Sequence, residues 1–201
     1  MSFLVNPFGF AAATGSFAAM VFDTTTAVSG DIDCTTTFLG GLTPKAVLTV
    51  GSSHESANTG SETPDFQMAF GASDGTNHRS GTGRSQDGTT ESTCSRVSHS
   101  TLAYNVRTSV TAKSATASFI TNGVRMTLTN GIATAYRAQL AAFAGADLSA
   151  AVGHILLGTG TSAITTTIGF AADLVLFFMH DNQYDSTAAT TSFVSGFGAC
   201  V

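Results

Sequence analysis

Charged residues and tryptophan are scarce in this 201-residue chain. Asp, Glu, Lys and Arg make up 10% of the residues, whereas ordinary soluble proteins contain about 25%. Such a weakly charged surface favours a protein that packs against copies of itself or against neighbours, because a free monomer usually needs more charge to stay in solution. No Trp and only three Tyr are present, so the aromatic platforms on which sugar rings stack are few.

Sequence motifs of catalysis are missing as well. The chain contains no Gly-x-Ser-x-Gly, Gly-x-Gly-x-x-Gly, Walker or His-Glu-x-x-His motif. No two of the five His residues have the short spacing of a local metal-binding pair. We therefore expect no enzymatic activity, no cofactor and no metal site.

Cysteines are few and apolar runs are short. Cys34, Cys94 and Cys200 have neither the number nor the spacing of a disulfide framework or a zinc site. The first ten residues have no Lys or Arg ahead of their apolar residues, as a secretory signal would, and no run approaches the ~20 apolar residues of a membrane span. The sequence predicts a soluble protein made in a reducing cytoplasm, with no membrane partner.

The charges that are present form bands along the chain. Residues 1–78 carry one Lys and seven acidic residues, residues 79–137 carry seven Lys or Arg and two acidic residues, and residues 138–201 carry four acidic residues and no Lys or Arg. The basic band either docks onto an acidic face of another protein or is neutralised inside one monomer. With a pI of about 5.3 and no aromatic residues among Arg79, Arg84 and Arg96, it does not predict nucleic-acid binding.

Strand patterns dominate the middle of the chain. Residues 102–110 and 124–129 alternate apolar and polar side chains, which is typical of strands with one buried face. Asn122-Gly123 and Asn130-Gly131 flank the second pattern, and Asn-Gly is a preferred dipeptide for a two-residue hairpin turn. These signals predict a three-stranded meander over residues 115–143.

Two segments are less clear. The alanines of residues 133–144 favour a helix, but the flanking turn signals and length favour a strand, which we adopt. The Gly-rich and polar residues 73–95 are interpreted as an exposed loop or a pair of short turns. Loops of that length in compact domains often bind something.

The front and the back of the chain appear in the sequence as two copies of one β unit. In each copy, a run of threonines leads through a glycine to an apolar run and then to a Phe-x3-Phe-Gly-Ala string, and the copies span about residues 32–73 and 162–200. The fold class expected is all-β, a β-sandwich of jelly-roll type with an internal duplication. Residues 23–201 are predicted to form this single domain, and residues 1–22 an apolar arm or a first irregular strand.

Several short motifs in this order resemble a group of tailed-bacteriophage virion proteins. They lie at residues 41–47, 70–71, 122–128, 142–145 and 169–175. The resemblance implies a β-rich structural protein with no enzymatic activity, located in the virion. The expected function is a capsid decoration or cement protein that contacts copies of itself, as a trimer, and the major capsid protein or other virion proteins.

The residues expected to make subunit contacts are apolar residues at the front of the chain and arginines of the basic band. They are Phe3, Leu4, Val5, Phe8, Phe10, Arg79, Arg84 and Arg96. The alternative function is a tail-associated receptor- or glycan-binding module that uses residues 73–95.

Overall fold

The computed structural model of the chain is built mainly of β-strands. It describes residues 16–23, 29–55, 65–86, 94–107, 112–130, 136–155, 167–180, 187–190 and 195–200. The strands are β1 (Ser16–Asp23), β2 (Gly30–Thr35), β3 (Pro44–Glu55), β4 (Asp65–Ser73), β5 (His78–Gln86), β6 (Cys94–His99), β7 (Tyr104–Arg107), β8 (Ala112–Ile120), β9 (Gly123–Asn130), β10 (Tyr136–Ala144), β11 (Val175–His180), β12 (Thr187–Thr190) and β13 (Ser195–Cys200). A 3-10 turn, Thr37–Leu39, follows β2. No helix in these ranges is long and apolar enough to cross a membrane.

The strands form three antiparallel sheets. Sheet A has seven strands in the order β1-β10-β3-β4-β5-β6-β12, sheet B has four in the order β2-β9-β8-β7, and sheet C is the pair β11-β13. The inner faces of sheets A and B share one buried cluster, to which sheet A contributes Val47 and Leu140 and sheet B contributes Val124 and Met126. The predicted all-β sandwich is therefore confirmed. The jelly-roll arrangement stays a prediction, because β3 to β6 are consecutive neighbours within one sheet.

The hairpin of β8 and β9 forms where the sequence predicts it. Ile120 pairs with Gly123, so Thr121 and Asn122 are the two turn residues, and Asn122 takes the positive φ of 61°. Gly123 begins β9 and lies directly against the backbone of β2, since an added Cβ would be 2.2 Å from the Cys34 carbonyl oxygen. The alternation in β9 buries Val124, Met126 and Leu128 as predicted.

The predicted three-stranded meander is wrong in its third strand. Residues 136–144 do form a strand rather than a helix, and alternate residues from Tyr136 to Ala144 are buried. However, β10 pairs with β1 and β3 in sheet A and not with β9, which lies in sheet B. The chain thus crosses from one layer of the sandwich to the other between β9 and β10.

Strand β7 is the edge of sheet B and is held against sheet A by threonine side chains. The buried hydroxyl of Thr49 in β3 donates to the carbonyl oxygen of Ala103 at 2.7 Å. The hydroxyl of Thr82 in β5 donates to the backbone carbonyl oxygen of Asn105. Between these two strands, Gly71 of β4 lies so close that an added Cβ would be 2.0 Å from the Ala103 oxygen. The backbone of β7 therefore rests on the inner face of sheet A.

This contact buries both sides of β7. Ala103, Tyr104, Asn105 and Val106 are all buried, so the prediction of a strand with one exposed face is wrong at this point. Burial raises the pKa of the Tyr104 hydroxyl above its usual range. The side-chain amide of Asn105 has no hydrogen-bond partner, which is a costly arrangement that the surrounding packing must offset.

The first strand begins earlier than the predicted domain boundary. Residues 16–22, assigned by sequence to an arm or irregular strand, belong to β1, which pairs with β10 in regular register from Ser16 to Asp23. Ala18 of β1 is part of the buried core. These residues are therefore part of the sandwich.

The two predicted repeat copies contain antiparallel strand pairs of identical register. In β3 and β4, Leu48 pairs with Ala72 and Val50 with Phe70; in β11 and β13, Leu176 pairs with Ala199 and Phe178 with Phe197. The matched strings of the sequence thus occupy matched positions in the two strand pairs. This register agrees with an internal duplication, which stays a prediction.

Replacing Gly71 with Ala should destabilise the protein because the added methyl group overlaps the Ala103 carbonyl, a backbone atom held by Thr49. We expect the free energy of unfolding, measured by urea denaturation, to fall by about 1–3 kcal/mol, which is the usual cost of overpacking. Gly153→Ala is the matched control, since an added Cβ there meets nothing within 4 Å. Equal stability of the two variants would show that β7 does not rest on Gly71.

Candidate subunit interface

The outer face of sheet A is largely apolar between β1 and β4. Charged residues border this area, since Asp23 of β1 pairs with Arg137 of β10 and Arg79 of β5 pairs with Ala72. Strand register places the side chains of this area in three rows, which run from β1 across β10 to β3 and, in two of them, on to β4. The rows are Phe17, Phe143 and Ala46; Ala19, Ala141, Leu48 and Ala72; and Val21, Gln139, Val50 and Phe70. We call this set the sheet A strip. Gln139 is its one polar member.

Several side chains of the sheet A strip are exposed. Phe17 is 47%, Val21 57% and Val50 37% exposed. The rings of Phe17 and Phe143 contact each other with centroids 5.3 Å apart. Contiguous exposed apolar surface of this kind marks sites of association in soluble proteins.

Sheet C covers one end of the sheet A strip. Phe178 of β11 stacks on Phe70 with ring centroids 4.8 Å apart and contacts Phe197 of β13 at 5.3 Å. The opposite face of the same strand pair is exposed, with Val175 at 42% and Phe177 at 41%. Register places Val175 beside Cys200 and Phe177 beside Gly198 on this exposed side, and we call these four residues the hairpin face. Ile168, Phe170 and Leu174, which precede β11, are exposed too.

The outer face of sheet B has the opposite character. Its register aligns Asp31 with Thr127 and Thr116, and Asp33 with Arg125 and Ser118. Arg125 donates from Nε and Nη2 to the two carboxylate oxygens of Asp33, at 2.6 and 2.8 Å, and its Nη1 lies 3.7 Å from Asp31. The hydroxyl of Thr127 donates to Asp31 at 2.7 Å. Hydroxyl and charged side chains thus suit this face to water.

Part of the basic band is engaged within the molecule. Arg125 pairs with Asp33, and Lys113 of β8 is buried, which lowers its pKa. Arg84 points into the sandwich and is buried. Arg79 donates from Nη1 to the carbonyl oxygens of His78 and Ser100, at 2.6 and 2.7 Å.

Only part of the predicted set of contact residues lies within the described residues. Phe3, Leu4, Val5, Phe8 and Phe10 lie outside the described residues. The side chain of Arg96 does too, although its backbone belongs to β6 and pairs with Gly83. Arg84 is buried, so we do not include it in the interface proposed below. Contacts by the remaining residues stay predictions.

The polar residues 73–95 do not form one long loop. Residues 78–86 are strand β5, paired with β4 on one side and β6 on the other, and its Ser80 and Thr82 are buried. The interpretation as an exposed loop is therefore wrong over this range. The turn predicted at Asp74-Gly75 is present, while residues 87–93 lie outside the described part.

The turn between β4 and β5 contains the one Ser-His contact with a catalytic appearance among the described residues. Nδ1 of His78 lies 2.8 Å from the hydroxyl of Ser73, but Ser73 is buried and accepts from the backbone of Gly75. Burial alone would raise the pKa of Asp74, yet bonds from Asn77, Val152 and Thr76 hold it below its ordinary value. The hydrogen bond from the Val152 amide to Asp74 holds this turn against the segment after β10.

Metal-ligating residues are not clustered in the described ranges: no three His, Cys, Asp or Glu side chains there could hold one ion. Cys34 is buried and Cys200 is exposed, and neither forms a disulfide.

Comparison with known proteins identifies no relative: no family model, no curated protein and no solved structure matches the chain. The function must therefore be inferred from the residues and surfaces of the molecule itself.

The sequence analysis missed the sheet A strip, although β1, β3 and β10 carry a signal for it. Each has apolar residues at successive positions, as in Ala18-Ala19-Met20-Val21 and Ala46-Val47-Leu48. A strand that is apolar on both sides is typical of a sheet covered on both faces.

The ion pair on sheet B generates a pH prediction. The hydrogen bond from Arg125, assisted by its charge, holds the pKa of Asp33 below the ordinary 3.8. The pair therefore contributes stability above the unfolded-state pKa, and this contribution is lost as pH falls through the lower folded-state value. In an NMR titration of the Asp33 carboxyl carbon, Arg125→Gln should raise the midpoint towards 3.8.

Thr127→Val is the control for this titration, because it removes the bond to Asp31 and leaves the Asp33 pair in place. A midpoint for Asp33 that is the same in the wild type and in Arg125→Gln would show that the pair does not form in solution.

Proposed function

We propose that this protein is a structural component that assembles through the outer face of sheet A, as a capsid decoration or cement protein of a virion. The difference between the two outer faces carries the proposal. Sheet B presents hydroxyls and a paired arginine, whereas sheet A presents the apolar sheet A strip, and an apolar face is stable in water only when another surface covers it.

The energy available from this face suits assembly. Phe17 and Val21 are already about half buried, so covering the rest of each would contribute roughly half of the ~1.5–3 kcal/mol that full burial of such a side chain provides. Val50 and Phe143 extend the same surface. Part of this gain offsets the cost of association. The scarcity of charge, 10% of residues, supports a protein that works packed against others, and the motif resemblance supports a virion as the place of assembly.

The predicted N-terminal contacts are compatible with this surface. Phe3, Phe8 and Phe10 belong to the segment that directly precedes β1, and β1 forms the edge of sheet A and supplies Phe17, Ala19 and Val21 to the sheet A strip. The receptor- or glycan-binding alternative loses its main support, since most of the stretch between 73 and 86 forms strands of sheet A.

Incorporation into particles tests the proposal. The wild-type chain should be present at hundreds of copies per purified particle, measured by quantitative mass spectrometry against the major capsid protein. Val21→Glu should leave the circular dichroism spectrum unchanged but reduce incorporation strongly, because it would bury an unpaired carboxylate in the contact.

Ser118→Glu is the matched control on the outer face of sheet B, where the new carboxylate would lie across from Arg125, and it should incorporate normally. A few copies per particle would instead favour the tail-associated role. Absence from particles, or normal incorporation of Val21→Glu, would contradict the proposed function.

A further inference from the structure

The pair β3 and β4 has the same register as the pair β11 and β13. The face of β3 and β4 that corresponds to the hairpin face is buried in the sandwich. Thr49 and Gly71 form a pair in β3 and β4, and the equivalent pair in β11 and β13 is Phe177 and Gly198. The face with Thr49 and Gly71 lies in the core beneath β7. The face with Phe177 and Gly198 is exposed, because sheet C packs on Phe70 through its other side.

The hairpin face is flattened by its own aromatic ring. Phe177 lies over Gly198, where an added Cβ would be 2.2 Å from the ring. Val175 and Cys200 pair next to it, and both are exposed in the described structure. A two-stranded sheet is marginally stable by itself, so covering this face would stabilise the hairpin as well as the contact.

The sheet A strip is a surface of matching character, and one end of it already binds the hairpin within the molecule. The ring of Phe70 stacks on that of Phe178. The row of Val50, Gln139 and Val21 continues from Phe70 to the edge strand β1. Within one molecule, aromatic side chains of sheet C therefore already pack on sheet A at Phe70. The uncovered part of the sheet A strip continues directly from this contact.

Charge favours this partner over a second hairpin face. Residues 138–201 have no Lys or Arg and carry four acidic residues, and Asp173 lies exposed beside Leu174. Two hairpin faces in contact would place these acidic segments together, which is unfavourable. The strands of the sheet A strip are mixed in charge, since they include Lys45 and Arg137 as well as Asp23, Glu55 and Asp65. They therefore repel an acidic segment less than a second acidic segment does.

We propose that the hairpin face of one copy docks on the sheet A strip of a second copy. The two surfaces differ, so the contact is heterologous, and repetition of it closes a ring when the rotation between copies allows. The proposal rests on the proposed assembly function and specifies which surface of one copy meets which surface of the next.

The native thiol of Cys200 supplies the test, since it lies on the hairpin face. A cysteine placed on the sheet A strip by Ala19→Cys should form a disulfide with Cys200 of another copy under mild oxidation. Mixing isotopically labelled and unlabelled protein identifies bonds between copies by the mixed masses of the linked peptides. The expected product is a covalent oligomer that disappears in the Ala19→Cys, Cys200→Ser double variant.

Ser118→Cys is the control on the outer face of sheet B and should give no such product. In sedimentation experiments, Val21→Glu should weaken self-association by about tenfold or more, which corresponds to about 1.4 kcal/mol. A dominant Cys200 to Cys200 bond, a bond within one copy, or a monomer at all concentrations would overturn the proposal.

The outcomes separate this proposal from the proposed function. If Val21→Glu abolishes incorporation into particles but no bond between residue 19 and Cys200 forms, the sheet A strip binds another virion protein and only the contact between copies is overturned. If incorporation is normal in Val21→Glu, the assembly function fails and the docking proposal fails with it.

Discussion

The structure depends on the contact in which the backbone of β7 rests on the inner face of sheet A. An edge strand leaves carbonyl groups without strand partners, and here the hydroxyls of Thr49 and Thr82 satisfy two of them. Gly71 provides the space for that approach. This contact accounts for the buried hydroxyls in the core and for the way in which an edge of sheet B is closed without a further strand.

Closing the sandwich in this way leaves its two outer faces to differ. The outer face of sheet B carries hydroxyl and charged side chains that are stable in water. Its ion pair between Arg125 and Asp33 forms within the molecule. The face of sheet A is apolar from β1 to β4, and sheet C covers only the end at Phe70. The proposed function follows from that difference, because the uncovered part of sheet A is stable in water when a neighbouring surface covers it.

The sequence predicts those features that depend on local patterns. Strand β9 follows from its alternation, and the turn at Asn122 follows from its tolerance of positive φ. Strand β5 was missed because its inward residues Ser80 and Thr82 are polar, and Thr82 is inward only because it bonds to β7, which is distant in sequence. The successive apolar residues of β1, β3 and β10 are a local signal for a sheet covered on both faces. The rows of the sheet A strip, however, depend on register between strands that are distant in sequence.

Side-chain footprinting with hydroxyl radicals in the assembled protein tests the central claim most directly. Oxidation of Phe17, Val21 and Phe143 should fall as the protein assembles, while that of Ile32 and Phe119 in sheet B, both partly buried in the core, should stay constant. Unchanged oxidation of the sheet A strip on assembly would contradict the account, since it would show that the apolar outer face of sheet A remains in contact with water.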